Sequence, residues 1–171
     1  MLLFEDGFSL SNTATVSHQW SKKGEQPKTT CKQRGREGQT AMGSYNYETG
    51  QMTVGFHNRG DYQSFKRHLK KVLYVYGKHS KIIIVADNVK SHHAKLLKKW
   101  LLKHPKSELV YLPPYSPELN PIERARWYMR KNITHNRFIK TLKARKIAFW
   151  KMFSLFQKPN NELLKICEIN F

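Results

Sequence analysis

Asp6, Asp87 and Glu123 are three of the few acids in a basic chain, and the last two stand alone among lysines and arginines. The chain carries only 12 Asp and Glu against 31 Lys and Arg, a net charge of +19. From Lys66 to Lys106 there are twelve Lys or Arg and one acid, Asp87. Between Glu123 and Glu162 there are eleven Lys or Arg and no acid. Converging carboxylates raise one another's pKa, and a divalent cation relieves that strain. Hard oxygen ligands suit Mg²⁺ or Mn²⁺ rather than zinc. Two such ions about 3.5–4 Å apart activate a water or hydroxyl and stabilise the leaving oxygen in phosphodiester chemistry. Each acid also has a structural alternative. Asp6 before Gly7 can make a turn, Asp87 after a strand can cap a helix, and Asn120-x-x-Glu123 has the spacing of a capping box. Residue types alone leave both uses open.

The elements that must position these acids are legible in outline. "LLF" (2–4) reads as a strand stopped at Glu5-Asp6-Gly7. Residues 21–38 read mostly as loop. "AMGSYNY" and "QMTVGFH", separated by "ETG", predict a hairpin. Phe65, Leu69, Val72 and Tyr76 mark one face of a helix over 62–76. "KIIIVAD" is a strand apolar on both sides, suited to the middle of a sheet, and it delivers Asp87 at its carboxyl end. "SHHAKLLKKWLLKH" predicts one amphipathic helix with Ala94, Leu97 and Leu101 on its apolar side. "ELVYL" is a further strand. Then "YLPPYSPELNPIERA" places Pro113, Pro114, Pro117 and Pro121 ahead of Glu123. Prolines restrict φ and the residue before them, so this loop holds the start of the next helix in register with the sheet. Asn120 is expected as its N-cap, with Pro121 at N1 and Glu123 at N3. That helix runs roughly from Pro121 to Asn132. Another runs roughly from Arg137 to Phe156, and a short one lies near Glu162–Ile166. Strands alternating with helices after an opening hairpin imply an α/β fold with a partly parallel sheet.

Length and charge bound the rest. With 171 residues, 39% hydrophobic and 12% aromatic, the chain is one domain long and can bury a core. Its basic excess points to a polyanion, nucleic acid first. No apolar run is long enough to span a bilayer, and no secretory signal is visible at Met1. Cys31 and Cys167 are far apart and read as free thiols of a reducing cytosol. The histidines lack zinc spacing. A cytoplasmic, nucleoid-associated protein is expected. A two-carboxylate glycosidase fits poorly with a polyanionic substrate.

"VADNVKSHHA" followed by "LVYLPPYSPELNPIER" resembles the DDE transposases of the mariner-related superfamily, in the bacterial insertion-sequence-630 branch. Asp87, Asn88 and His92 match its Asp-Asn-x-x-x-His pattern. Residues 112–123 match its Leu-Pro-Pro-Tyr-Ser-Pro-Glu-Leu-Asn-Pro-Ile-Glu block without a break. "LLFEDGF" is similar to the family's first-strand motif, "HQWSKKGEQP" to its Trp-x-x-x-Gly-x-x-Pro stretch, and "THNRFIKTLKARKIAFWKMF" to its C-terminal helix. The resemblance implies an RNase H-like fold, a mixed five-stranded sheet flanked by helices. It implies Asp6, Asp87 and Glu123 as catalytic residues holding two Mg²⁺ or Mn²⁺ ions, with Asn88 and His92 as auxiliaries. It further implies cleavage at transposon ends and transfer of the freed 3′-hydroxyl into target DNA, usually at TA, with a homodimer as the active species.

The DNA partner is expected to be gripped by Lys90, Lys95, Arg124, Arg130, Lys131 and Arg137. Trp20, Tyr115, Trp127 and Trp150 are able to stack on bases, although core packing is the plainer use of Trp127 and Trp150. Residues 1–156 are expected to form the catalytic domain and 157–171 a tail with a short helix. The family's N-terminal helix-turn-helix domain is expected to be absent. Two departures stand out. Gly7 replaces a second acid that commonly follows the first Asp, and Arg126 takes the place of a usual Trp. These keep two alternatives in view, a catalytically decayed DNA-binding fragment and an RNase H-like nuclease of another kind.

Overall fold

The hairpin, the parallel strands and the helices assemble into one layered sheet in the computed structural model, which describes residues 1–11, 15–28 and 38–169. The strands are β1 (Leu2–Ser11), β2 (Gly38–Asn46), β3 (Met52–His57), β4 (Ile82–Ala86) and β5 (Ser107–Tyr111), in the spatial order β3-β2-β1-β4-β5. β1 is antiparallel to β2 and parallel to β4, and β5 is parallel to β4. The sheet is therefore mixed, and β1 and β4 lie inside it.

The helices are α1 (Tyr62–Tyr76), α2 (Lys95–Leu101), α3 (Ile122–Ile133), α4 (Leu142–Leu155) and α5 (Asn161–Ile166). α1 and α2 cover one face, where Phe65, Leu69 and Val72 pack with Leu3, Ile82 and Ile84. α3, α4 and α5 cover the other, where Met129, Phe149, Phe153 and Leu163 pack with Phe8, Tyr45 and Val54. Asp61 caps α1 by accepting from Ser64 N at 2.9 Å. Leu163 and Cys167 are fully buried, so α5 joins the same core as α3. It sits against the β2–β3 turn, where Asn160 N donates to Thr49 O at 2.9 Å. Gly50 has φ +70°, and any β-carbon there would run into the Asn160 carbonyl. Glycine meets both demands.

Four local expectations need correction. β1 does not stop at Asp6-Gly7: it continues to Ser11 because Asp6 and Gly7 pair with Gly43 and Met42 of β2. The helix expected over 91–104 is split at Ala94, whose backbone is extended (φ −56°, ψ 131°). A 3-10 turn over Lys90–His93 precedes it and turns His92 inward, its ring stacked 3.9 Å from that of Phe65. α4 begins at Leu142, not near Arg137. The intervening residues hold a distant loop, since Asn136 exchanges two 2.9 Å hydrogen bonds with Ser17. Asn120 does not cap α3, for its side-chain amide donates to Glu5 O of β1 at 3.1 Å instead.

Candidate active site

Alternation along β1 sends Asp6 and Glu5 to opposite faces of the sheet. Asp6 lies with Phe8 on the α3 side, and Glu5 lies with Leu3 on the α1 side. β1 pairs with β4 from Leu2↔Ile83 to Phe4↔Val85. Continuing that register brings Asp6 opposite Asp87, just past the end of β4. Adjacent strands stand about 4.8 Å apart. The third acid comes from the first turn of α3. Opposite Asp6 on β2 is Gly43, where a β-carbon would lie 3.4 Å from Ile122 Cδ1. Its bare backbone lets that turn settle on the sheet, with Glu123 beside Asp6.

Asp6, Asp87 and Glu123 thus line one cleft of about 370 Å³. Asn88, Asn120 and the loop from Leu112 to Pro117 form its other walls. Tyr115 stands fully exposed at the rim, in the left-handed region at φ 59°. The proline-rich loop is therefore a wall of the cleft as well as the lead-in to α3.

The electrostatics are tense. The Asp6 carboxyl is pushed up to about 7, first by burial, against which Arg126 pulls down, while Glu123 and Asp87 push it further up. Glu5 is fully buried and held well above the usual carboxylate range by that burial, then by Asp6 and Asp87. Neither of its carboxylate oxygens has a hydrogen-bond partner. His92 stands between the acids, with Nδ1 2.9 Å from Asp87 Oδ1 and Nε2 3.9 Å from Glu5 Oε2. Nδ1 also lies 3.1 Å from the Asp87 carbonyl. It has one hydrogen to give; directed to that carbonyl, it leaves Oδ1 buried without a hydrogen of its own. Asn88 Oδ1 meets His93 Nε2 at 2.5 Å.

Arg126 lies closest to the triad. Its Nη1 donates to Asp6 Oδ2 at 3.0 Å, and its Nη2 pairs with Glu123 Oε2 one turn back along α3. The guanidinium holds those two carboxylates within its own breadth of each other. Among the described residues, no three His, Cys, Asp or Glu side chains already stand as a metal cage. The donor set still fits a hard divalent ion. It offers three carboxylates at one cleft, one of them, Asp6, raised first by burial and then by its acidic neighbours, and another, Asp87, with an oxygen short of a donor.

The expected DNA-contacting residues occupy different places. Lys95 is exposed at the start of α2. Arg124 is exposed beside the cleft and donates to the Glu168 carbonyl. Arg130 is half-buried with its guanidinium 5.8 Å from the Phe8 ring, and burial lowers its pKa. Lys131 lies over the exposed ring of Trp127 at 4.9 Å. Arg137 is exposed and donates to Asn132 O at 2.5 Å. Trp20 is fully exposed, and Trp150 is partly covered by Phe56. The Lys90 side chain and Cys31 lie outside the described part of the chain. Spacing along α3 separates two stripes. Glu123, Arg126 and Arg130 face Asp6, whereas Arg124, Trp127 and Lys131 face outward.

Sequence reasoning passed over three site residues. Glu5 was readable from strand alternation, which must bury it opposite Asp6. Arg126 was noticed only as a departure, although its i,i+3 spacing from Glu123 already places the two together. Asn120 was assigned to the wrong partner, because nothing in the sequence shows that β1 passes beside it.

The layered five-stranded sheet, with an acid-lined cleft beside it, has an RNase H-like fold. Residues 1–146 match the family described as DDE superfamily endonuclease, and the chain belongs to that family. It is similar to the insertion element IS630 uncharacterized 39 kDa protein of Shigella sonnei, 24% identical over 135 residues, 79% of this chain and 39% of that protein. By structure it is similar to Mos1 transposase in its strand transfer complex (TM-score 0.70, 14% identity, 97% of this chain and 50% of that one). The Mos1 catalytic domain alone gives TM-score 0.60 at 12% identity, with 97% and 74% covered. The HTLV-2 integrase catalytic core in complex with magnesium gives 0.51 at 11% identity, with 88% and 82% covered. The chain spans well under half of the curated relative and about half of the Mos1 chain. Among the described residues, no helix is long and apolar enough to cross a membrane.

Proposed function

We infer that this chain is the catalytic domain of a transposase, which cuts DNA at the ends of a mobile element and joins the freed end to target DNA, with TA the expected target step. The observation that carries the reading is the cleft shared by Asp6, Asp87 and Glu123. These three would hold the divalent ions, two Mg²⁺ or Mn²⁺ in this reading. When bound, such ions activate the attacking oxygen and neutralise the leaving one.

The chain's own residues then have defined tasks. His92 holds Asp87 in place through its two contacts to that residue. Asn120 ties the loop before Glu123 to the backbone of Glu5, fixing the third acid against the first. The loop walls from Leu112 to Pro117 limit how a phosphodiester enters. Lys95, Arg124, Lys131 and Arg137 present positive charge to the DNA backbone, with Lys90 on the loop after Asp87 as a further contact. Arg130 adds field rather than a free hand, since it is stacked on Phe8. Residues 1–156 form the catalytic unit in this reading, and 157–171 its C-terminal tail, docked on it through Leu163 and Cys167. Pairing of two element ends calls for a homodimer, acting on chromosomal DNA in the nucleoid.

The test is nicking of a supercoiled plasmid with Mg²⁺ or Mn²⁺. Asp87→Asn and Glu123→Gln should each lower the rate by at least about a hundredfold, and a chelator should abolish it. Equal nicking by the wild type and both variants rejects the assignment. One observation favours the decayed reading, the guanidinium of Arg126 lodged between Asp6 and Glu123. A wild type that binds plasmid but never nicks it would support that alternative.

A further inference from the structure

We propose that Arg126 is a resident cation of the active site, a latch that a divalent ion must displace before it can be shared by Asp6 and Glu123. The inference rests on the reading of the three acids as metal ligands. Its basis is geometric. One guanidinium spans two of the three carboxylates, through Nη1 to Asp6 and Nη2 to Glu123, and it does not touch the third, Asp87. The planar fork of arginine matches two acceptors at once. It fills the place between those two acids that an ion bridging them requires.

Displacement has only one route. A guanidinium keeps its proton in a protein, so it cannot be neutralised in place to make room for an ion. The side chain must swing away. About a quarter of it is exposed to solvent, which gives it a way out. Asp87 stands apart from the latch, with its own partner in His92. The site is therefore unequal in its metal-free form. The side toward Asp87 is open, and the side toward Glu123 is closed by an internal positive charge.

The experiment is Mn²⁺ binding to the intact chain without DNA, followed by titration calorimetry and by the rise in melting temperature with added Mn²⁺. Arg126→Gln removes the charge and leaves a shorter polar side chain. It should bind Mn²⁺ at least about tenfold more tightly than the wild type, a difference of about 1.4 kcal/mol, and show the larger Mn²⁺-induced stabilisation. Arg126→Lys keeps one charge but cannot grip both acids, so its affinity should fall between the two. If Arg126→Gln does not fold, Arg126→Lys alone decides: a gain over the wild type supports the latch, and none overturns it. Equal affinity of wild type and Arg126→Gln, with both weakened by Asp87→Asn, overturns the latch and leaves the metal reading standing. Absence of any Mn²⁺ binding in all variants overturns the metal reading itself and the latch with it.

Discussion

At the scale of single residues, this domain buries several groups that water would rather keep. Glu5, His68 and His92 are all buried. His68 is the most instructive because it lies away from the acid cleft. Its Nε2 meets Ser44 Oγ at 2.9 Å, and its Nδ1 has no partner. Its pKa is pushed down to about 3, first by burial, then by His57 and Lys71. The folded value lies below the ordinary 6.5, so the unfolded chain takes up a proton that the folded chain refuses. The stability this contributes is complete above about pH 6.5 and is lost toward pH 3, at roughly 1.4 kcal/mol per pH unit. Asp6 and Glu5 act oppositely, since raised carboxyl values favour the folded state as pH falls. A variant comparison isolates the histidine. From pH 6.5 to 5.0, the unfolding free energy of the wild type in urea should fall by about 1.7 kcal/mol more than that of His68→Gln. Parallel pH profiles for the two proteins would show that His68 is not held neutral.

At the scale of elements, α3 is the positioning device. It carries Glu123 and Arg126 on one stripe, and its buried stripe of Ile122, Ala125, Met129 and Ile133 fixes its rotation on the sheet. The proline-rich loop fixes where it begins, and Asn120 anchors that loop to β1. Truncating Asn120 to alanine removes the anchor and leaves the Glu5 carbonyl without its donor. The expected loss is about 1–2 kcal/mol in urea unfolding. An unchanged midpoint would mean that the prolines alone hold the helix start. The capping box suggested by Asn120 and Glu123 did not form because both side chains had stronger claims elsewhere. A buried backbone acceptor took the first, and a cation took the second. A local motif yields when tertiary neighbours offer a partner that would otherwise go unsatisfied.

At the scale of the whole molecule, a net charge of +19 would govern how the domain meets DNA under the proposed function. Exposed Lys95, Lys131 and Arg137 are typical of that charge, and its contribution to binding is release of counterions. Affinity for a nonspecific duplex should fall with salt on a log–log slope of about −0.9 for each phosphate neutralised. Fluorescence anisotropy across a salt series reads that slope directly. A flat line would detach the basic surface from DNA binding.

The sequence by itself determined most of the elements in outline, and the family. Apolar periodicity marked α1 and β4, the turn residues marked the β2–β3 hairpin, and an unbroken twelve-residue block tied residues 112–123 to one family. These are local signals, written within a few turns or one strand. It also singled out Asp6, Asp87 and Glu123, because acids in so basic a chain are conspicuous. Only the tertiary structure decided what surrounds them. The pairing of β1 with β4 set Asp6 across from Asp87, the burial of Glu5 followed from which face α1 covers, and Arg126 reached Asp6 across 120 residues of chain. Contacts between segments so far apart depend on how whole layers pack, and no pattern of neighbours along the chain encodes that directly.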